Sequence, residues 1–229
     1  MKFENTEVFN FEGALRGMRN PLESWNKGDS WRCVDTVCCR CPNENSCKED
    51  YSFSIGKNDM ELAQKLIRAG QPHRKFLRQI LVSVDITAPL YWWKEFDTYK
   101  VGTVANSEST MHRLANTFIT LDCFEMDDFK DFYDLKNMYT SELIAFWAEL
   151  ITRLENLRKA YLETKDKRYW KELIRLLPES WLQKRTVTMN YENILNMIEY
   201  RKEHKLTEWS KAFIDWTKSL PYSQEFLFL

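Results

Sequence analysis

The sequence predicts an α+β fold, in which a helix-rich single domain surrounds a small mixed or antiparallel sheet. Two segments, from Phe76 to Ile86 and from Gln183 to Met189, are rich in β-branched residues and have the length of strands. Segments with apolar residues at helical spacing are more numerous, as is typical of the α+β class. With 229 residues and no internal repeat, the chain is expected to form one domain with a substantial core.

The first predicted helix begins at Asp59, because the residues before it lack a clear periodicity. Gly70 is expected to end this helix, and a turn separates it from the strand that begins at Phe76. That strand leads into a helix whose first residue is Pro89, since the N–H that proline lacks would be unpaired there. Thr87 is expected to help cap this helix. The helix at Asp59 is indicated by apolar residues at helical spacing, namely Met60, Leu62, Ala63, Leu66 and Ile67.

The second half of the chain is predicted to be mostly helical. A long helix ends near Thr164, and a shorter helix covers Tyr169 to Leu177. After the second strand, Asn190 is suited to cap a helix that includes Arg201. A last helix covers Leu206 to Leu220. The long helix is indicated by one apolar stripe, formed by Leu143, Trp147, Leu150, Ile151, Leu154 and Leu157.

The composition argues against a strong general attraction to nucleic acids or membranes. Lysine and arginine number 33 and the acidic residues 34, so the formal net charge is −1. No run of about 18 apolar residues occurs, and residues 1–5 lack the apolar core of a signal peptide. We therefore expect a cytoplasmic protein whose partner is a small molecule or another protein.

Five of the six cysteines fall between Cys33 and Cys47. In a reducing compartment, such a cluster is more typical of metal binding or free thiols than of disulfides. Cys38 and Cys41 form the close pair that a tetrahedral zinc site favours. We expect a loop insertion at about residues 30–50, with either a structural zinc ion bound by Cys33, Cys38, Cys41 and Cys47 or free thiols. Cys123 stands apart and is expected to be a small core residue.

The run from Asn106 to His112 is dense in asparagine, serine, threonine and histidine. Such a density exceeds what a simple connection needs, and loops carry binding sites more often than the elements that they join. A pocket for a polar ligand is one interpretation of this run. The other is a capped helix end followed by an ordinary solvated loop.

The segment from Ala88 to Arg113 has a distinctive order of features. An Ala-Pro helix start is followed by a triplet at residues 98–100 and by a hydroxyl-rich loop that reaches Ser109. This order resembles the signature of the flavin-dependent thymidylate synthases, in which an Ala-Pro helix carries an Arg-His-Arg triplet and a loop ending in Ser and Arg. Lys100 retains the cation of the third triplet position, and Ser109 matches the loop serine if one residue is inserted. The resemblance extends to Asp59–Gly70, His73, Leu177, Pro178, Thr188, Asn190, Ile194, Asn196 and Arg201.

The resemblance implies the fold of that family, binding of FAD and of a pyrimidine nucleotide, and reductive methylation of the nucleotide or a related reaction. It also implies a homo-oligomer, namely a tetramer with sites shared between subunits. Cationic side chains would hold the nucleotide phosphate, because a dianion needs fixed cationic donors. Carried over by position, the resemblance assigns Ser109 to catalysis, His73, Lys100 and Asn190 to the cofactor, and Asn106, Arg175 and Arg201 to the substrate.

The sequence also departs from the family pattern. Thr98 and Tyr99 replace an arginine and a histidine, and Glu192 stands where an Asn-x-Arg motif has its nucleotide-binding arginine. Because a carboxylate repels phosphate, an alternative function stays open, in which an inactive descendant binds a nucleotide or another protein. A weaker alternative is a nucleic-acid contact through the cysteine cluster and the basic residues Arg68, Arg74, Lys75 and Arg78, which the balanced net charge disfavours.

Overall fold

A computed structural model describes residues 1–32, 53–126 and 138–229, with the backbone alone for 138–140. The contacts of the chain cluster into two compact units. Unit 1 comprises Met1–Glu4, Asp85–Tyr99 and Ala105–Thr186, and unit 2 comprises Asn5–Val84, Lys100–Val104 and Val187–Leu229. The assignment of all 229 residues to one domain with a cysteine-rich insertion stays a prediction.

The structure confirms the α+β class, with a small antiparallel sheet among many helices. Four strands form this sheet in the order β1, β4, β6, β5, and a separate antiparallel ribbon pairs β2 with β3. The strands are β1 (Lys2–Phe9), β2 (Trp31–Arg32), β3 (Phe53–Ser54), β4 (Leu81–Pro89), β5 (Val104–Ser107) and β6 (Leu182–Asn190).

The helices at Asp59, before Thr164, at Tyr169 and after Asn190 are confirmed by the structure. The described helices are α1 (Phe11–Met18), α2 (Lys57–Arg68), α3 (Leu90–Phe96), α4 (Thr110–Asn116), α5 (Met138–Thr164), α6 (Lys167–Leu176), α7 (Tyr191–Arg201), α8 (Ile214–Lys218) and α9 (Ser223–Phe226). The predicted last helix contains a π-helical segment, Glu208–Phe213, before α8. Within the described residues, no helix combines the length and the apolar character needed to cross a membrane.

Two predicted element boundaries were wrong. Lys75–Gln79 forms a 3₁₀ helix rather than the start of the strand. Both Phe76 and Leu77 are buried there, whereas successive strand residues would point to opposite faces. Pro89 is the N-cap of α3 and not its first residue, and no side chain caps that helix. The N–H groups of Leu90 and Tyr91 donate instead to the carbonyl groups of Trp181 and Glu179, so Thr87 is not needed.

Each unit has its own apolar core. In unit 2, the ring of Phe11 packs edge-on against Tyr191 and Tyr222. In unit 1, Cys123 is buried as expected for a small core residue. The cluster around it consists of Leu114, Ile119, Phe124, Leu154, Leu173 and Trp181.

The predicted zinc ligands Cys33, Cys38, Cys41 and Cys47 lie outside the described residues. Within the described ranges, no group of three or more histidine, cysteine or acidic side chains could hold a metal ion. The zinc site therefore stays a prediction from the sequence.

Candidate functional site

The predicted cofactor residue Asn190 lies at the N-terminus of α7, in unit 2. Asn190 is the N-cap, and its Oδ1 accepts a hydrogen bond of 2.9 Å from the backbone N of Asn193. The Oδ1 of Asn193 in turn accepts from the backbone N of Asn190 at 3.2 Å. This reciprocal pair is a capping box, so the predicted capping role of Asn190 is confirmed.

The loop that carries Lys100 is fastened to this capped helix end. The Nδ2 of Asn193 donates to the carbonyl oxygen of Val101 at 2.7 Å. Gly102 has a φ of +79°, and a Cβ atom at this position would lie 3.0 Å from the Asn190 Nδ2 and from the Asn193 Oδ1. Glycine is therefore needed here for both its conformation and its size. The side chain of Lys100 is exposed beside this anchored segment.

Glu192, in the first turn of α7, is only 4% exposed. Its Oε1 accepts from the Arg74 Nε at 3.3 Å, and its Oε2 accepts from the Arg78 Nε. The hydrogen bond to Glu192 raises the pKa of Arg78 above its ordinary value. Arg74 also donates to the Asn196 Oδ1 at 3.0 Å. The carboxylate at the position where the resemblance implies an arginine is therefore neutralised by two arginines.

The charges at this helix end suit an anionic ligand. The first N–H groups of a helix carry partial positive charge, and the exposed Lys100 adds a full one. Arg78 keeps nearly half of its side chain exposed although it pairs with Glu192. His73 directly precedes Arg74 and is also exposed. The N–H groups of Tyr191 and Asn193 already donate to the Ile80 carbonyl oxygen and to the Asn190 Oδ1. Donors for a phosphate or another oxyanion would therefore come mainly from the exposed side chains of Lys100 and Arg78.

Arg201 lies in the last turn of α7, at the opposite end from Asn190. An 11-residue helix is about 16 Å long, so the two residues are separated by roughly that distance along the axis. The Arg201 guanidinium lies over the Trp209 ring, 4.8 Å from its centroid. Within one chain, the structure does not bring Arg201 to the capped end.

The remaining predicted site residues belong to unit 1. Ser109 is the N-cap of α4, and its Oγ accepts from the backbone N of His112 at 3.4 Å. Asn106 lies in β5 with its side chain exposed. Arg175 is exposed near the end of α6 and forms an ion pair of 3.0 Å with Glu172. Ser109 and Asn106 thus lie close together in the sequence on one short segment, while Arg175 lies on a separate helix.

Sequence reasoning missed the side chains that hold this polar segment in place. The buried Gln183, on β6, donates from Nε2 to the Glu108 carbonyl oxygen at 2.9 Å and to the Thr110 Oγ1 at 3.2 Å. Arg113 donates to the Leu182 carbonyl oxygen at 2.6 Å and lies 3.3 Å from the Glu108 carboxylate. The run from Asn106 to His112 is therefore anchored along β6.

Arg185, also on β6, extends this network. Its guanidinium donates to the Gln183 Oε1 at 3.0 Å and to the Asp97 Oδ1 at 2.7 Å, and it lies 4.2 Å from the ring centroid of Trp93. The signal in the sequence was the pair of polar residues at positions 183 and 185, since residues two apart share one face of a strand. That spacing alone could not identify their partners.

Comparison with known proteins gives a consistent result at the level of structure. No family model and no curated protein matches the sequence. A crystal structure of thymidylate synthase X from Helicobacter pylori, with FAD and dUMP, matches over 100% of this chain and 97% of its own, with a TM-score of 0.63 and 17% identity. The chain has the fold of a flavin-dependent thymidylate synthase. A second structure of the Helicobacter pylori flavin-dependent enzyme, also complexed with FAD and dUMP, matches with a TM-score of 0.62, 17% identity and coverage of 100% and 98%. The resemblance noted in the signature segment is therefore confirmed for the fold.

Proposed function

We propose that the protein is a divergent member of the flavin-dependent thymidylate synthases that binds FAD and a pyrimidine nucleotide for reductive methylation or a related reaction. The observation that carries this proposal is the match along the whole chain to an enzyme solved with FAD and dUMP. Fold alone does not determine activity, so the proposal also depends on the residues. Bound FAD would supply the hydride chemistry, and the protein would supply position and charge.

The donors at the start of α7 fit the phosphate groups of such ligands. Glu192 would repel a phosphate if its charge stood alone, but Arg74 and Arg78 offset that charge. Lys100, His73 and Asn190 are then the proposed cofactor residues, and Lys100 provides the exposed cation next to the helix N-terminus. The charge reversal at position 192 is therefore compatible with an anionic ligand.

In unit 1, Ser109 is the proposed catalytic residue and Asn106 helps to orient the base of the nucleotide. The Ser109 Oγ already accepts the N–H of His112, so its own hydroxyl proton can be donated to a carbonyl oxygen of a pyrimidine. The anchoring by Gln183 reduces the ordering that the segment would undergo when ligand binds.

The proposal includes a cytoplasmic homotetramer with sites shared between subunits. Arg201 lies at the far end of α7 from Lys100, and Arg175 lies in the other unit. A site shared between subunits would allow Arg175 and Arg201 to contribute to the substrate site from more than one chain.

The first experiment is a visible absorption spectrum of the purified protein after incubation with FAD and removal of the excess. A retained flavin band near roughly 450 nm is the expected result, followed by titration with dUMP. Lys100→Ala should weaken FAD binding and Arg201→Ala should weaken dUMP binding, each about tenfold, because each removes a charge-assisted hydrogen bond. Lys205→Ala removes another exposed cation and should change neither affinity.

Two outcomes would contradict parts of this proposal. If neither Lys100→Ala nor Arg201→Ala changes an affinity that the wild type shows, the assigned anion residues are wrong. If dUMP binds while no flavin is retained, the inactive, nucleotide-binding alternative replaces the enzyme.

A further inference from the structure

Two arginines in unit 2 share one buried carboxylate, yet their surroundings differ. Arg74 and Arg78 each donate through Nε to Glu192. The Arg74 side chain is 13% exposed, whereas that of Arg78 is 46% exposed. One guanidinium is enough to balance one buried carboxylate, so the presence of a second, more accessible one needs a separate explanation.

The donors of Arg74 are all directed to helix α7. Its Nη2 donates to the Asn196 Oδ1 at 3.0 Å, and its Nη1 lies 3.9 Å from the Glu199 carboxylate. With the Nε bond to Glu192, each of its three nitrogen atoms thus faces an oxygen of that helix. Arg74 is therefore a structural side chain, and a ligand would have to displace one of these contacts to bind it.

Arg78 has donors to spare. It belongs to the 3₁₀ helix Lys75–Gln79, and the Glu192 Oε2 is the one hydrogen-bond acceptor that it has among the described residues. That bond occupies Nε and leaves the edge formed by Nη1 and Nη2. Two N–H groups on one edge of a guanidinium match two oxygens of a phosphate, and partial exposure of the side chain gives a ligand access to them.

The position of Arg78 relates it to the anion site proposed above. Glu192, which holds Arg78, lies in the first turn of α7. The next residue, Asn193, donates to the carbonyl oxygen of Val101 and so holds the loop that carries Lys100. The segments that carry the two exposed cations are therefore both attached to the same helical turn.

We infer that Arg78 is a phosphate-binding residue of this protein, with its Nη1 and Nη2 donating to two phosphate oxygens while its Nε stays bound to Glu192. This inference rests on the proposed function, and the phosphate is that of FAD or that of the pyrimidine nucleotide. The acidic residue at position 192 then supports anion binding instead of opposing it, because it holds a guanidinium that another element supplies.

Affinities measured at two salt concentrations test the role of Arg78. FAD and dUMP are titrated separately by calorimetry into the full chain. At low salt, Arg78→Ala should weaken binding of at least one of them about tenfold or more, because two charge-assisted hydrogen bonds are lost. The factor should be clearly smaller in roughly 0.5 M NaCl, since salt screens exposed charges. The ligand whose affinity falls identifies the source of the phosphate.

Two further variants separate a phosphate contact from general damage. Arg78→Lys keeps the charge and can still pair with Glu192, so it should fold. It should nevertheless weaken binding of the same ligand about fivefold, because an ammonium group has no second edge for phosphate. Arg68→Ala removes an exposed arginine near the end of α2 and should leave both affinities unchanged.

The outcomes distinguish this inference from the function on which it rests. If the wild type binds FAD or dUMP and both Arg78 variants bind equally well, Arg78 has no phosphate-binding role, while the proposed function stands. An equal loss of affinity at both salt concentrations, or a loss of the same size in Arg68→Ala, would also overturn the inference. If the wild type binds neither ligand, the proposed function fails and this inference fails with it.

Discussion

Glu155 in unit 1 and Glu192 in unit 2 are both buried, yet their charges are balanced in different ways. Glu155 pairs with Arg158, three residues later on the same helix, and also accepts from the backbone N of Ile119. Glu192 pairs with Arg74 and Arg78, which are 118 and 114 residues away in the sequence. The charge of Glu155 is neutralised by an arginine on its own helix, and the charge of Glu192 by two arginines that folding brings from a distant part of the sequence. The apparent conflict at position 192 arises because only the first kind of pairing is visible in a sequence.

The largest effect is expected from Glu192→Gln. This change leaves two guanidinium groups without their shared carboxylate, and breaking a buried ion pair costs about 3 kcal/mol or more. The partial exposure of Arg78 favours the lower end of the range. The free energy of unfolding from urea denaturation measures this loss. Glu199→Gln is the matched control, since Glu199 is half-exposed and 3.9 Å from Arg74, and it should change stability by less than about 0.5 kcal/mol.

A smaller loss, about 2 kcal/mol, is expected from Glu155→Gln. The glutamine amide oxygen can still accept the N–H of Ile119, so mainly the charge-assisted bonds to Arg158 are lost. Glu149→Gln, which changes an exposed pair on the same helix, should cost less than about 0.5 kcal/mol. If Glu155→Gln is the more damaging of the two buried substitutions, the proposed contrast between local and long-range pairing is wrong.

The pH dependence of stability sharpens the same comparison. Burial on its own raises the pKa of Glu155, but the hydrogen bonds from Arg158 and Ile119 hold it below its ordinary value of 4.5. The resulting stabilisation is present above the pKa of the unfolded chain and is lost as the pH falls through the lower pKa of the folded state. Urea denaturation between pH 7 and pH 3 should therefore show a shallower loss for Glu155→Gln than for the wild type. Equal slopes would contradict this assignment.

The smallest loss of stability is expected from a substitution of Gly102, in the loop that Asn193 holds to the start of α7. Gly102→Ala introduces a side chain at positive φ and close to two asparagine side chains, which should cost about 1–2 kcal/mol. The same variant should weaken FAD binding if the position of Lys100 depends on this loop. Gly70→Ala is an informative control, because Gly70 also has positive φ but nothing lies within 4 Å of its added Cβ. The Gly70→Ala variant should be less stable than the wild type but should bind FAD with unchanged affinity.

Much of the fold could be predicted where periodicity and caps agree. The capped helix after Asn190 and the long helix ending at Thr164 were both predicted because apolar residues recur at helical spacing. Strand β1 was missed because most of its side chains are exposed, so no alternation marks it. Helix α1 was missed because Gly13 and Gly17 lower its helix propensity, and its stability depends on packing.

The candidate site could be predicted only in part, for a similar reason. The signature segment and Asn190 could be found because each is a local pattern. The anchoring of the polar run by Gln183 joins residues 73 to 75 positions apart, and no local rule contains that information.

The pairing of Arg74 with Glu192 has a consequence for how an anion would meet the start of α7. An arginine side chain loses up to about 2 kcal/mol of rotamer freedom when it is immobilised. The bonds from Arg74 to Glu192 and Asn196 impose that loss during folding, before any ligand arrives. Binding of the proposed anionic ligand would therefore not have to order this side chain again. The rate of association with such a ligand is expected to fall with increasing salt.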